Sequence, residues 1–275
     1  CKGASKRYKN SEDRELANEL SEESDADLGG DGSTDTEIVD LEHSTECDVG
    51  SCVTGYSCVL GRCLQECERV VEFPDEALEA AIRERIGKPE DDILAEYLLE
   101  VDNFQASEKG ISDLAGIQCM TGLKFLLLRD NNISDIRPIF SLASLRQLVL
   151  DGNRIDNLEP LSMLPSLSSL ALSRNMVSDL EPISGLVTIS SLELDENRIT
   201  DIGPLSKLSA LVILSIKDNG IVDLSALSDL LRIGSLDLRN NRIKTINTYF
   251  PQVADVIFWQ YRRAVPPAGR ACADA

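Results

Sequence analysis

The chain has 275 residues, 27 Lys+Arg against 47 Asp+Glu, a formal net charge of −20, and 43% apolar but only 4% aromatic residues. That length suits one core with appendages, the apolar share excludes global disorder, and the acidity excludes nucleic acid as a partner, because phosphate binding needs a basic surface. No uncharged apolar run reaches the roughly 18 residues of a membrane-spanning helix, and the single histidine, His43, removes most Ser-His-Asp, Cys-His and multi-histidine metal chemistry.

The first residue is Cys1, followed by Lys2, Lys6, Arg7 and Lys9 and then a long polar stretch. Residues 11–46 contain fourteen Asp+Glu against Arg14 alone, with Ser, Gly and Thr between them. Such a segment buries too little apolar surface to offset chain entropy, so residues 1–46 are expected to form a disordered, self-repelling tether. A leading cysteine with a polar tail resembles a bacterial lipoprotein after signal-peptide removal. The resemblance implies lipidation of Cys1 and an exported, membrane-anchored protein at the bacterial outer membrane or cell surface. Several acyl chains would anchor it stably where one binds only marginally, and the basic residues beside Cys1 would meet anionic headgroups.

Residues 47–67 carry Cys47, Cys52, Cys58, Cys63 and Cys67, with Gly50, Gly55 and Gly61 between. The Cys-x2-Cys pairs of zinc knots are absent, so a disulfide module is expected. Cys119 and Cys272 make seven cysteines besides Cys1, an odd number. One of Cys67, Cys119 and Cys272 therefore pairs across modules or stays free. The next segment, 68–100, contains Phe73-Pro74-Asp75-Glu76-Ala77-Leu78, with Leu78, Ile82 and Ile86 on one helical face and Gly87 ending the run. This predicts a helix that caps the residues C-terminal to it.

From about residue 101 the sequence is periodic. Asn131, Asn153, Asn175, Asn197, Asn219 and Asn241 recur every 22 residues, each inside the frame Leu123-x-x-Leu126-x-Leu128-x-x-Asn131-x-Ile133 or its equivalent. A constant period of this kind is the mark of a leucine-rich repeat. In each repeat the x-Leu-x-Leu-x segment predicts a short strand with its leucines inward. Stacked coils pair the strands into a parallel sheet, and each coil buries its neighbour's leucines. The Asn amide both donates to and accepts from backbone groups of adjacent coils, which a carboxylate cannot do at neutral pH. The remainder of each repeat reads Ile133-x-Asp135-Ile136-x-Pro138-Ile139, with Pro160, Pro182 and Pro204 repeating and Ala226 breaking the proline. Proline fixes φ and cannot donate, so this side is expected to be extended or a single turn.

The expected fold is an α/β solenoid: a leucine-rich repeat horseshoe over 101–250, one degenerate coil (Phe104 and Ala106 at leucine positions, Lys109 at the Asn position) and six regular ones. Its sheet lines the concave face. A flank at 251–275 would end it, with Val256–Tyr261 as an edge strand and Trp259 in a cap. The 22-residue length and the Asp-Ile-x-Pro-Leu convex side resemble the internalin-type repeats of bacterial surface proteins, over roughly 70–250. The resemblance implies a binding protein rather than an enzyme. The cell-wall anchoring segment or immunoglobulin-like flank of many such proteins is not seen in the sequence.

Function on this fold is read from exposed strand positions. They form three ladders: Phe125, Gln147, Ser169, Ser191, Ile213 and Ser235; Leu127, Val149, Ala171, Glu193, Ser215 and Asp237; Arg129, Asp151, Ser173, Asp195, Lys217 and Arg239. Phe125, Leu127 and Val149 make an apolar patch where solvent is expected, open to a partner or covered by the cap or the cysteine module. Gln147, Ile213, Glu193, Asp195 and Asp237, relieved by Lys217 and Arg239, complete the candidate ligand-binding face. Arg129 with Asp151, and Asp195 with Lys217, read more simply as neighbour-strand ion pairs. Paired carboxylates on an open sheet lack the water exclusion of a catalytic site. No Gly-rich phosphate loop, His-Glu-x-x-His, nucleophile elbow or Asp-x-Asp-x-Asp-Gly calcium loop occurs, so neither catalysis nor a cofactor or metal is expected. The expected function is a monomeric, lipid-anchored module for a protein or peptide ligand, touching membrane only through its anchor. A structural cell-envelope component with a permanent partner is the alternative.

Overall fold

The computed structural model describes residues 69–243, Cys67, and the backbone of 56–59 and 62–65. Cys1 with the acidic tether, His43, Cys47, Cys52, the side chains of Cys58 and Cys63, the flank after residue 243 with Trp259, and Cys272 lie outside the described residues. Two antiparallel strands, β1 (Tyr56–Val59) and β2 (Arg62–Gln65), place Cys58 opposite Cys63 in the backbone register. They precede two helices, α1 (Glu76–Ile86) and α2 (Ala95–Leu99).

Seven strands come next at the predicted interval: β3 (Asn103–Gln105), β4 (Phe125–Leu127), β5 (Gln147–Val149), β6 (Ser169–Ala171), β7 (Ser191–Glu193), β8 (Ile213–Ser215) and β9 (Ser235–Asp237). They form one parallel sheet in sequence order, each residue pairing with the one 22 positions on. The middle residue of every strand points inward, so Phe104, Leu126, Leu148, Leu170, Leu192, Leu214 and Leu236 stack into one core, none more than 3% exposed. Each such leucine contributes about 1.5–3 kcal/mol by burial, provided its neighbouring coils are present to cover it.

The convex side is a row of 3-10 turns: Arg137–Ile139, Glu159–Met163, Glu181–Ile183, Gly203–Lys207 and Ser225–Leu227. The first four carry proline early in the turn, but the last does not. What all share is an Asx cap. Asp135, Asn157, Asp179, Asp201 and Asp223 each accept, through Oδ1, the N–H two residues on, at 2.7–2.9 Å. The side-chain carbonyl thus starts the turn, and proline only stiffens it. This explains why Ala226 is tolerated.

The asparagine row lies between coils. Asn175 Nδ2 donates to the carbonyls of Leu150 in the preceding coil (2.9 Å) and of Leu172 (3.0 Å) and Ser173 (3.3 Å) in its own. Its Oδ1 accepts the Ile155 N–H at 3.0 Å. Asn131, Asn153, Asn197, Asn219 and Asn241 repeat the pattern. Asn131 also takes the Lys109 N–H at 3.1 Å, so the first coil needs no amide of its own.

The cap is joined to that first coil by polar bonds. Asp75 caps α1, its Oδ1 accepting from the Ala77 and Leu78 N–H groups, both at 3.0 Å. Its Oδ2 accepts from the Ser112 N–H (2.8 Å), the Ser112 hydroxyl (3.0 Å) and the Asp113 N–H (3.1 Å). Burial alone would raise the Asp75 carboxyl, but these donors outweigh it and hold it below its usual range. Gly87 ends α1 with φ +69°, a left-handed C-cap. Of the face predicted to pack, Leu78 and Ile82 are fully buried and Ile86 partly. Among the unassigned cysteines, Cys67 and Cys119 form a disulfide, Cα to Cα 5.3 Å, closing a span of 52 residues. In the chain-entropy account a loop of that length is worth about 4 kcal/mol.

Asn175→Ala removes the acceptor for a buried N–H and the donor for three carbonyls, and is expected to cost about 2–4 kcal/mol in chemical denaturation. Asn175→Asp sets a carboxylate oxygen against those carbonyls, which raises its folded pKa. Its deficit is therefore largest above about pH 5 and shrinks as the acid is protonated below it. A deficit for Asn175→Asp that does not change with pH would overturn this account of the row.

Candidate functional site

On the outward side of the sheet the first and third residues of each strand face away from the core. Phe125 is 37% exposed and Ile213 43%, whereas Leu127 and Gln147 are half-buried. Val149 retains only 9% exposure and Ala171 7%, packed in register between neighbouring strands. The apolar patch expected from Phe125, Leu127 and Val149 is therefore presented mainly by the first two. Val149 serves as its floor.

The third ladder corrects an expectation. Asp151, assigned to an exposed binding position, is only 3% exposed. Its Oδ2 receives the Arg129 guanidinium at 2.9 Å, and its Oδ1 accepts the Ser173 N–H of the next coil at 2.9 Å. Asp195 repeats this one step on, accepting the Ser215 hydroxyl (2.6 Å) and the Lys217 N–H (2.9 Å), with the Lys217 ammonium at 3.4 Å. Ser107 and Ser173 hydroxyls accept the N–H groups of Arg129 and Asp195. The strands are too short to pair these backbone donors, so the ladder's side chains do it. Its first duty is to hold adjacent coils together.

Asp237 and Arg239 form an ion pair on the last coil, and that guanidinium, more than the opposing effect of burial, keeps the Asp237 carboxyl below its usual range. Six of the seven charged candidates are thus spent in three pairs. Glu193 is the seventh, and among the described residues it has neither an ion pair nor a side-chain hydrogen bond. Burial first, then the charges of Asp151 and Asp195, push its carboxyl up, with Arg129 opposing.

Two features escaped the sequence frame. The residue before each row asparagine, and Glu108 before Lys109 in the first coil, adopts a left-handed backbone: Glu108, Asp130, Arg174, Glu196, Asp218 and Asn240 at φ 53° to 59°, and Gly152 at 67°. They form a fourth polar ladder, in which Arg174 reaches over Gly152 to Asp130 at 2.9 Å. A side chain at Gly152 would overlap that carboxylate. A polar residue before every row asparagine but Asn153, where glycine stands, was the available signal. Secondly, Ala81, Glu84 and Arg85 of α1, with Asn103, Gln105 and Lys109, line an open cavity of about 460 Å³ beside β3. Arg85 Nε donates to the Asn103 carbonyl at 2.9 Å. Neither Arg85 nor Lys109 has a carboxylate partner among the described residues. Asn103 Oδ1 is buried without a donor.

No set of three or more His, Cys, Asp or Glu among the described residues is arranged to hold a metal ion, and no described helix is long and apolar enough to cross a membrane. Because the fold disfavours ionised Glu193, Glu193→Gln is expected to leave stability at pH 7 unchanged or slightly raised. That advantage fades as pH falls through about 4, where glutamate is protonated in both states. Thermal melts between about pH 3 and pH 8 read this, and a loss at pH 7 would show that Glu193 has a structural role.

The repeat described as "Leucine Rich repeats (2 copies)" matches residues 121–163. No curated protein matches the chain. Among solved structures, internalin C2 of Listeria monocytogenes is 34% identical, with a TM-score of 0.62, over 64% of this chain and 78% of that one. A leucine-rich repeat protein of Leptospira interrogans is 25% identical, with a TM-score of 0.53, over 55% of this chain and 40% of that one. The solenoid fold is thus shared with a solved internalin, and the chain belongs to the internalin-like leucine-rich repeat family.

Proposed function

We propose that this chain is an exported bacterial binding protein that holds a protein or peptide ligand on the outward face of its sheet, as a monomer and without catalysis. Leucine-rich repeat proteins are generally protein-interaction modules, and internalin-like homologues are surface or secreted bacterial proteins. The observation that carries the reading is Phe125 beside Leu127, an aromatic and a leucine on neighbouring positions of an open strand face that also presents Ile213. Aromatic side chains set in a polar surround are the usual anchors of interfaces. Around them stand Gln147, Val149, Arg129, Asp151, Glu193, Asp195, Lys217, Asp237 and Arg239. The paired members fix the rim, and Glu193 remains open to a partner's charge.

Export is supported independently by the Cys67–Cys119 disulfide, since such bonds persist in oxidising compartments. Within this reading Cys1 carries a lipid and the acidic segment spaces the platform from the membrane. Intact mass of the protein isolated from its native membrane tests this part. Acyl mass on the N-terminal peptide is expected, and an unmodified Cys1 would remove the anchor while leaving the platform untouched.

For the platform itself, Phe125→Asp with Leu127→Asp is expected to keep the circular dichroism spectrum and most of the melting temperature, because neither side chain is fully buried. Immobilised full-length chain should retain a protein from bacterial envelope extract that the double variant releases. Equal retention by both, or unfolding of the variant, would overturn the assignment of this face.

A further inference from the structure

The second residues outward along the sheet form one line, Gln105, Leu127, Val149, Ala171 and Glu193, from β3 to β7. Its two ends differ in charge and its middle is apolar. At the β3 end the open cavity beside α1 brings in Arg85 and Lys109, two cations without a carboxylate partner among the described residues, against one acid, Glu84. At the β7 end stands Glu193, the one charged residue of the face's seven candidates left outside the three ion pairs. In a chain of net charge −20, two cations meeting beside β3 make this end of the face locally basic.

From this arrangement we infer that the face selects a charge-polarised segment: an extended stretch lying across the strands, with an acidic residue in the Arg85/Lys109 cavity, apolar residues over Leu127 and Val149, and a lysine or arginine at Glu193. The inference rests on the binding reading above and specifies its ligand. The register sets the spacing. Four strand steps separate Gln105 from Glu193, or about 19 Å at about 4.8 Å per step, which an extended chain spans in about six residues. Opposite charges in that order are attracted and the reverse order is repelled at both ends, so the polarity fixes direction as well as affinity. A cation at Glu193 would also supply the charge that Asp151 and Asp195 deny it, and this agrees with the raised carboxyl.

The probe is a displayed library of random twelve-residue peptides selected on the full-length chain. Selected peptides are expected to carry Asp or Glu about six positions from Lys or Arg, with apolar residues between. Single exposed ion pairs are worth up to about 1 kcal/mol, so Glu193→Lys should weaken the selected peptides about fivefold. Reselection on that variant should replace the basic end with an acidic one. Arg85→Glu with Lys109→Glu should do the converse at the other end. Binding should also fall with added salt. Peptides that lose binding to Phe125→Asp/Leu127→Asp yet ignore both charge reversals would overturn the polarity and leave the platform standing. Peptides indifferent to all of these variants, or no selected binders at all, would overturn both.

Discussion

From the second coil on, each coil is tied to the one before it by an asparagine carboxamide. The strands are three residues long, so the sheet alone leaves much of each turn's backbone unpaired, and that backbone is carried into the interior by the leucines on either side. A buried N–H or carbonyl without a partner costs as much as a leucine's burial returns. The asparagine row resolves this conflict, because one side chain presents a donor and an acceptor a short distance apart and so reaches both coils.

The same economy governs the outward face. On the convex side Asx caps at Asp135, Asn157, Asp179, Asp201 and Asp223 begin the turns. On the outward face Asp151 and Asp195 accept the N–H groups just beyond the strands. Charged residues there serve the solenoid first, and the proposed recognition falls on residues with no such duty in the sheet: Phe125, Leu127, Ile213 and Glu193. The left-handed ladder, six of whose seven members are not glycine, adds a strain of about 1–2 kcal/mol at each such residue. The array tolerates it because each is followed by an asparagine, or by Lys109 in the first coil, whose backbone is tied to the next coil.

The site was only partly legible in the sequence. Strand alternation placed Phe125, Leu127, Arg129 and Glu193 on the outward face, because period two is a property of the strand itself. It also placed Val149 and Asp151 there, and both are buried. Alternation reports direction and not exposure, and an outward residue can be covered by its neighbours, as the Arg129 guanidinium and the next coil's Ser173 N–H engage Asp151. The pairing of Arg129 with Asp151 and of Asp195 with Lys217 was readable from the 22-residue offset. The pairing of Asp237 with Arg239 lies within one coil and had no repeat to announce it.

By itself the sequence determined the solenoid, its strand register, the inward leucines, the amide row and the capping helix, since each rests on a local period or a local cap. Tertiary structure decided which of the seven cysteines meet, joining Cys67 to Cys119 across 52 residues. It also decided which outward side chains are free, and it brought Arg85 and Lys109 together beside β3. These outcomes depend on distances between segments that no periodicity encodes. A repeating pattern fixes what each residue does within its coil, whereas pairing, burial and charge balance are set by what the neighbouring coils and the cap bring alongside.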